Sequence, residues 1–483
     1  MGCLIHGFFS DCGKEPPAVP TKILPPAGGC DKRKRLRPRP KCRDEDETGT
    51  GGWYRPMRLQ DPLEYLKSLT GLGIRLDLAP LRGVLSRFRH PERRYRTVLV
   101  AGTNGKGSVA AMTSAILSKA GVRTGLYTSP HLVDYRERIR VDGKMITPAE
   151  LKALVEEVRP LIDVKLTYFE FSTFLALLYF ARRAVRTAVL EVGMGGRFDA
   201  ANVVDPDVSV VTNIALEHKE FLGRNLRAIA EEKGGVIREK GVCLTAARQK
   251  MVLDTLEKVC DARGARLYRL GRDIRVRERG PGIFSYRGLD REFDRVECPL
   301  PGRHQVDNAA LAIGAVELLG NGVSDEAVLE GLKATRWEGR LEILRRSPTL
   351  VVDGAHNPAA AAALRQALLE RFTFHRLILL FGVLRDKDYG GILRRLAPVA
   401  DTVVLTRPGE TDRAKPPGEM AEEARRHAAE VLVVEDPEEA LRKALRMAGA
   451  KDTVCATGSL YLVGAVKKAY RRIERLQETT SLS

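Results

Sequence analysis

Apolar and polar positions along this chain repeat one motif: a short apolar run, a turn, then a longer stretch of helical period. Apolar runs at Thr97–Ala101, Arg123–Tyr127, Ala188–Val192 and Val208–Asn213 predict strands. Helical patterns at Asp61–Ser68 and Leu78–Phe88 precede them. Others follow at Val109–Ala120, from Pro148 with Thr147 as N-cap, and at Phe171–Arg182. Arg266–Cys298 reads as a strand-rich insertion, and helices return at Asp307–Leu319 and Ser324–Lys333. Beyond Arg340 the alternation restarts, with strands at Thr349–Val352, Arg376–Phe381, Thr402–Thr406, Val431–Val434 and Thr453–Ala456. Helices at Ala359–Arg371, Tyr389–Leu396, Glu419–Ala429 and Pro437–Ala448 separate them. Strand–helix alternation of this kind predicts an α/β fold with a mostly parallel sheet in each of two units.

Composition sets the domain limits. Residues 1–56 are rich in Pro and Gly, carry the run DKRKRLRPRPKCR followed by DEDE, and are expected to be a disordered extension. The expected first domain is 57–336, with a hinge at 337–341, a smaller Rossmann-like domain at 342–475 and a tail at 476–483. Net charge is +18; the extension holds 11 Lys/Arg against 7 Asp/Glu, so most of the excess sits on the body. A basic body suits anionic ligands, such as nucleotides and carboxylates, and equally nucleic acid or plain surface charge. No apolar run is long enough to span a bilayer, so no membrane partner is expected. Of eight cysteines, Cys3, Cys12, Cys30 and Cys42 fit no compact zinc spacing. Cys243, Cys260, Cys298 and Cys455 lie in apolar stretches, as in a reduced, cytoplasmic protein.

The chemistry concentrates at AGTNGKGS, Ala101–Ser108, between the first strong strand and a helix. Gly102, Gly105 and Gly107 let the backbone bend so that several N–H groups face one anion, and the helix N-terminus and Lys106 add positive charge. This is a P-loop variant, because Gly107 separates Lys106 from Ser108. Thr103, Asn104, Gly105, Lys106, Gly107 and Ser108 are the candidate ATP cradle, making the first domain a nucleotide-binding one. Ser129, Glu191 and His218 each follow or end a predicted strand, and parallel strands gather such ends at one sheet edge above the loop.

The wording of the motifs adds a resemblance. AGTNGKGS, TSPHL at Thr128–Leu132, ERIR at Glu137–Arg140, TYFE at Thr167–Glu170 and LEVGMGGRFDAAN at Leu190–Asn202 are similar to the folylpolyglutamate synthase/dihydrofolate synthase family of the Mur ligase superfamily. So are the EH-x-x-x-LG run at Glu217–Gly223, EKGG at Glu232–Gly235, HQVDNAA at His304–Ala310, WEGRLE at Trp337–Glu342, DGAHNP at Asp353–Pro358 and GSLYLVG at Gly458–Gly464. The resemblance covers roughly residues 57–475 in order. It implies ATP as co-substrate and Mg²⁺, two ions, held by Ser129, Glu191 and His218. It implies a carbamylated Lys233 beside the second ion, and ATP contacts from Asn308, Arg340 and Asp353. By the same resemblance Thr167, Tyr168, Phe169, Glu170, Phe198, Asp199 and Ala200 form a dihydropteroate pocket, and His356 contacts phosphate or the incoming glutamate. Read bare, Lys233 is an exposed helical lysine, Arg340 a linker salt bridge, and Tyr168 and Phe169 core aromatics opening an apolar helix.

The activity implied is amide formation between L-glutamate and dihydropteroate, then further glutamylation of folates, by a cytoplasmic monomer without nucleic-acid or membrane partners. Two other readings stand beside it: a peptidoglycan-precursor Mur ligase, and a basic nucleotide-dependent nucleic-acid binder using RKRLRPRPK as its arm. That arm lacks the interleaved aromatics that stack on bases.

Overall fold

The computed structural model describes residues 61–320, 322–409 and 411–481; the expected extension at 1–56 lies outside them. Two sheets organise the chain. The larger has eight strands: β1 Arg96–Ala101, β2 Thr124–Tyr127, β3 Ile139–Val141, β4 Lys144–Met145, β5 Thr187–Glu191, β6 Val208–Val211, β7 Val242–Thr245 and β8 Arg266–Arg269. Their order is β4-β3-β2-β5-β1-β6-β7-β8, with β2, β5, β1, β6, β7 and β8 parallel and the β3–β4 hairpin antiparallel. A small antiparallel sheet, β9 Arg275–Gly280, β10 Ile283–Arg287 and β11 Glu292–Glu297, realises most of the strand-rich insertion expected over Arg266–Cys298; its first strand, β8, joins the large parallel sheet instead.

The second large sheet comprises β12 Glu342–Arg346, β13 Thr349–Val352, β14 Leu377–Phe381, β15 Thr402–Leu405, β16 Glu430–Val433 and β17 Thr453–Thr457. Its order is β12-β13-β17-β14-β15-β16, parallel except for β12. The expected α/β class with two mostly parallel sheets is what the chain adopts.

Burial explains the continuous apolar strands. Every residue of β5 is buried, as are the last five of β1, because helices cover both faces. Leu99 and Ala101 pack toward the Tyr168–Arg182 helix, whereas Val98 and Val100 pack toward the helices Lys106–Lys119 and His304–Leu319.

Some boundaries differ from expectation for identifiable reasons. The apolar helix begins at Tyr168, not Phe171, because Thr167 and Glu170 form a capping box that draws TYFE into the first turn. The strand expected to reach Asn213 stops at Val211. The helix expected over Glu419–Ala429 divides into a 3-10 turn, Pro417–Met420, and a short helix, Ala421–Arg425. The tail expected at 476–483 is helical as far as Ser481, within a helix starting at Leu460.

The helix behind the glycine loop is fixed by a close contact. Gly331 lets Asp325–Ala334 lie against it so tightly that a Cβ at Gly331 would sit 2.5 Å from Ile116 Cα. Gly331→Ala should therefore destabilise the protein by about 1–3 kcal/mol, the usual penalty of overpacking. Chemical denaturation measures this, and an unchanged midpoint would contradict the contact.

Candidate active site

The glycine loop takes its shape from left-handed backbone. Gly102 has φ 133° and Gly105 φ 87°. A Cβ at Gly102 would lie 2.0 Å from Thr212 Oγ1, and one at Gly105 2.4 Å from Asn308 Oδ1. The end of β6 clamps the loop: Thr103 N–H donates to Asn213 O at 2.8 Å, Asn104 N–H to Asn213 Oδ1 at 3.0 Å, and Thr212 Oγ1 to Asn104 O at 2.7 Å. Lys106 opens the following helix, and its Nζ folds back onto the carbonyls of Gly102 (3.2 Å) and Thr103 (3.1 Å). Ser108 Oγ is buried without a protein partner and lines the cavity, as a ligand-binding hydroxyl would.

That cavity measures about 820 Å³. Every candidate residue from the sequence except Lys233 lines it. Ser129 and Glu191 meet directly, the Ser129 N–H donating to Glu191 Oε2 at 3.0 Å. Burial raises the Glu191 carboxyl, opposed by Lys106 and by the Ser129 N–H. His218 adopts φ 43° and receives a hydrogen bond from Lys387 Nζ on Nε2 at 3.1 Å, with Asp386 3.8 Å from Nδ1. Burial and Lys387 push His218 down to about 4, leaving the ring neutral near pH 7. His356, partly buried near Lys387, is likewise lowered to about 4.

A carboxylate, a hydroxyl and a neutral imidazole suit a hard divalent cation with one nitrogen ligand. Here His218 Nε2 is engaged by Lys387. Among the described residues no three His, Cys, Asp or Glu side chains group as a metal site.

Lys233 is a correction to its bare reading as an exposed lysine. It is buried beneath the loop, donating to Gly102 O at 2.7 Å and to Glu217 Oε1 at 2.8 Å. Burial lowers the Lys233 ammonium. Burial also works against the Glu217 carboxylate, but Lys233 and Lys106 outweigh it and hold Glu217 down to about 2.

The second sheet supplies the facing wall. Asp353, at the end of β13, accepts from Leu341 N–H at 2.8 Å and Ala355 N–H at 2.9 Å. Arg340 makes no salt bridge among the described residues, contrary to its bare reading; its Nη1 donates to Gly339 O at 3.0 Å. Buried Lys467 fixes this segment, its Nζ reaching Glu338 at 2.8 Å and Glu342 at 2.6 Å, while Glu342 accepts from Gly339 N–H at 2.7 Å. Asn357 Nδ2 donates to Asn104 Oδ1 at 2.8 Å, bonding the glycine loop to the second sheet's side of the cavity. Asn308 donates to Gln305 Oε1 at 2.8 Å.

Aromatic residues form the remaining wall. Tyr168 and Phe169 are partly buried against the core, as their reading as core aromatics has it, and they also line the cavity. A Cβ at Gly193 would stand 2.5 Å from Phe169 Cζ, so only glycine admits that ring. Glu170 Oε2 accepts from Thr167 N–H at 2.7 Å and Arg75 Nη1 at 3.3 Å, whereas Oε1 is buried without a partner. Burial raises Asp199 to about 6 despite N–H donors from Met194 and Ala201. Ala200 is buried and Phe198 is 41% exposed.

Sequence reasoning missed Asn213, Asn357, Lys387, Lys467 and Arg138 as site residues. Two of them carried a signal: Asn357 in DGAHNP, standing before Pro358 as a helix N-cap, and Arg138 in ERIR.

A glycine loop on one α/β sheet, facing a second α/β sheet across a cavity with carboxylate, imidazole and cationic groups, defines a nucleotide-dependent ligase of the Mur type. The chain matches the Mur ligase middle domain over residues 100–316 and the Mur ligase glutamate ligase domain over residues 339–460. It is 32% identical over 426 residues to a dihydrofolate synthase/folylpolyglutamate synthase of Bacillus subtilis (strain 168), spanning 85% of this chain and 98% of that one. Escherichia coli FolC in complex with DHPP and ADP superposes with a TM-score of 0.81 at 31% identity, covering 87% of this chain and 100% of that one. A bifunctional folylpolyglutamate synthase/dihydrofolate synthase from Yersinia pestis, complexed with AMPPNP and Mn ion, superposes with a TM-score of 0.77 at 32% identity, covering 85% and 97%. The chain belongs to the dihydrofolate synthase/folylpolyglutamate synthase family, and it is an ATP-dependent carboxylate–amine ligase.

The Glu217–Lys233 pair carries a pH signature. A carboxyl lowered to about 2 in the fold, against an ordinary 4.5, stabilises the protein fully above pH 4.5, and that stability is lost as pH falls toward 2. Glu217→Gln should lower the melting temperature at pH 7 and flatten its fall between pH 5 and 3. Parallel wild-type and variant curves across that range would contradict the pairing.

Proposed function

We propose that this chain joins L-glutamate to dihydropteroate, forming dihydrofolate, and then adds glutamate to folates through their γ-carboxylates. The observation that carries this reading is one cavity holding the glycine loop, the Glu191–His218 pair and the Tyr168–Phe169–Asp199 wall together. An acceptor carboxylate oxygen takes the γ-phosphoryl group of ATP and ADP departs, leaving an acyl phosphate. The glutamate nitrogen attacks the acyl carbon and loses a proton, and inorganic phosphate leaves. The protein's task is to position these groups and balance their charge.

In this reading Thr103, Asn104, Gly105, Lys106, Gly107 and Ser108 cradle the phosphates, and Asn308, Arg340 and Asp353 hold the rest of the nucleotide. Ser129, Glu191 and His218 would hold Mg²⁺, two ions in this reading, and Lys233, once it leaves Glu217 and exchanges its ammonium for a carbamate, would complete the second site; the ions would supply neutralising charge. Lys387, bonded to His218 in the structure, would give up that imidazole nitrogen to such an ion. Tyr168, Phe169 and Phe198 stack on the pterin, Glu170 and Asp199 accept its N–H groups, and Thr167 and Ala200 complete the wall. His356 meets phosphate or the incoming amino acid. Residues 337–341 act as the hinge between domains 57–336 and 342–475, and the protein works as a cytoplasmic monomer.

The test is ADP release with a panel of acceptors plus L-glutamate. Dihydropteroate and reduced folate monoglutamates should both support turnover, and Lys106→Ala should reduce it at least about 10²-fold. Turnover with neither acceptor would overturn the substrate assignment; near-normal turnover in Lys106→Ala would overturn the phosphate-loop role.

A further inference from the structure

Arg138 lies in the cavity wall, only 5% exposed, and the roles above leave it without a task. Burying a guanidinium without a counter-ion is costly, and proteins retain such groups chiefly where an anion completes them. Among the described residues Arg138 forms no ion pair. Its Nε donates to His131 Nδ1 at 2.8 Å, which leaves the Nη1–Nη2 fork without a protein acceptor. Its guanidinium carbon stands 5.3 Å from the Tyr168 ring centroid and 5.8 Å from that of Tyr135.

The group is held in place. Thr128 N–H donates to Arg138 O at 3.1 Å, extending the pairing of β2 with β3. The preceding loop is tied by Glu137, whose carboxylate accepts from the N–H groups of Leu132 (2.8 Å), Val133 (3.0 Å) and Asp134 (2.8 Å). Burial and the adjacent guanidinium lower His131 to about 3, so its ring is a neutral acceptor that orients Arg138 without competing for an anion.

We propose that Arg138 recognises the carboxylate of the acceptor before it is activated, its free fork receiving both oxygens while the acceptor's aromatic part rests against Tyr168. An arginine fork matches a carboxylate in two parallel hydrogen bonds, a geometry lysine lacks. Arg138 lies against Tyr168 and is close enough to Glu191 to act on its carboxyl, as a group steering the carboxylate toward the glycine loop must be. This rests on the acceptor reading given above.

The test is equilibrium binding to the full chain, without ATP, of dihydropteroate and of its carboxamide, which keeps the ring system but not the charge. The wild type should prefer the carboxylate by about 10–100-fold, the range of a hydrogen bond to a charged group. Arg138→Gln should bring dihydropteroate down to the carboxamide's affinity and leave the carboxamide unchanged, which also reports an intact pocket. Arg138→Lys should restore part of the preference. A variant that keeps the full preference, or loses both ligands equally, overturns the role of Arg138 and leaves the acceptor reading standing. A wild type that binds neither molecule overturns the acceptor reading, and this proposal with it.

Discussion

One buried cation underlies the site. Lys233 stands beneath the glycine loop and bonds both the Gly102 carbonyl and the Glu217 carboxylate. Its charge is out of water, so neither bond can be exchanged for solvent at little cost. Gly102 is thereby held in left-handed backbone against Thr212, and the loop's N–H groups keep their direction. The same lysine, together with Lys106, holds the Glu217 carboxylate down against its burial, and Lys106 acts on Glu191 as well. Phosphate chemistry needs such charges fixed beforehand, because reorganising them during the reaction would add to the barrier.

Opposite this fixed edge the contacts are polar and divided among few residues. Asn104 meets Asn357, Lys387 meets His218, and Lys467 with Glu338 and Glu342 holds the segment that carries Arg340. Asp353 caps Leu341, which itself has φ 48°. A joint of hydrogen bonds and ion pairs across a wet cavity can rearrange when an anionic ligand offers better partners, whereas the apolar cores beneath each sheet cannot. Lys387 is one such contact: its ammonium bonds Nε2 of the neutral His218 ring at the cavity edge.

Much of this was legible in sequence because it rests on local chemistry. Strands such as Val98–Ala101 and Leu377–Phe381 are covered on both faces and read as apolar runs, and the glycine turn announces itself by composition. Thr147 was legible as a cap because N-capping is local. Most of the elements missed lack such signals. β3 and β4 have three and two residues, and β12 reads EILRR with its charges on a partly exposed edge. β7, VCLT, was missed although it is as short as β6, which was read, and nearly as buried. The site residues missed are brought in from afar. Nothing near Lys387 or Asn357 in the chain shows that they meet His218 and Asn104, and Arg138, though part of ERIR, stands out only once its burial without an ion pair is visible.

In the proposed reaction the cavity activates a carboxylate by phosphorylation before an amine displaces phosphate. The most direct measurement is turnover of dihydropteroate carrying ¹⁸O in both carboxylate oxygens, with ATP and L-glutamate, followed by mass analysis of both products. The account predicts one ¹⁸O in the inorganic phosphate and one in the amide carbonyl of the product. Inorganic phosphate free of label, with product formed, would contradict it.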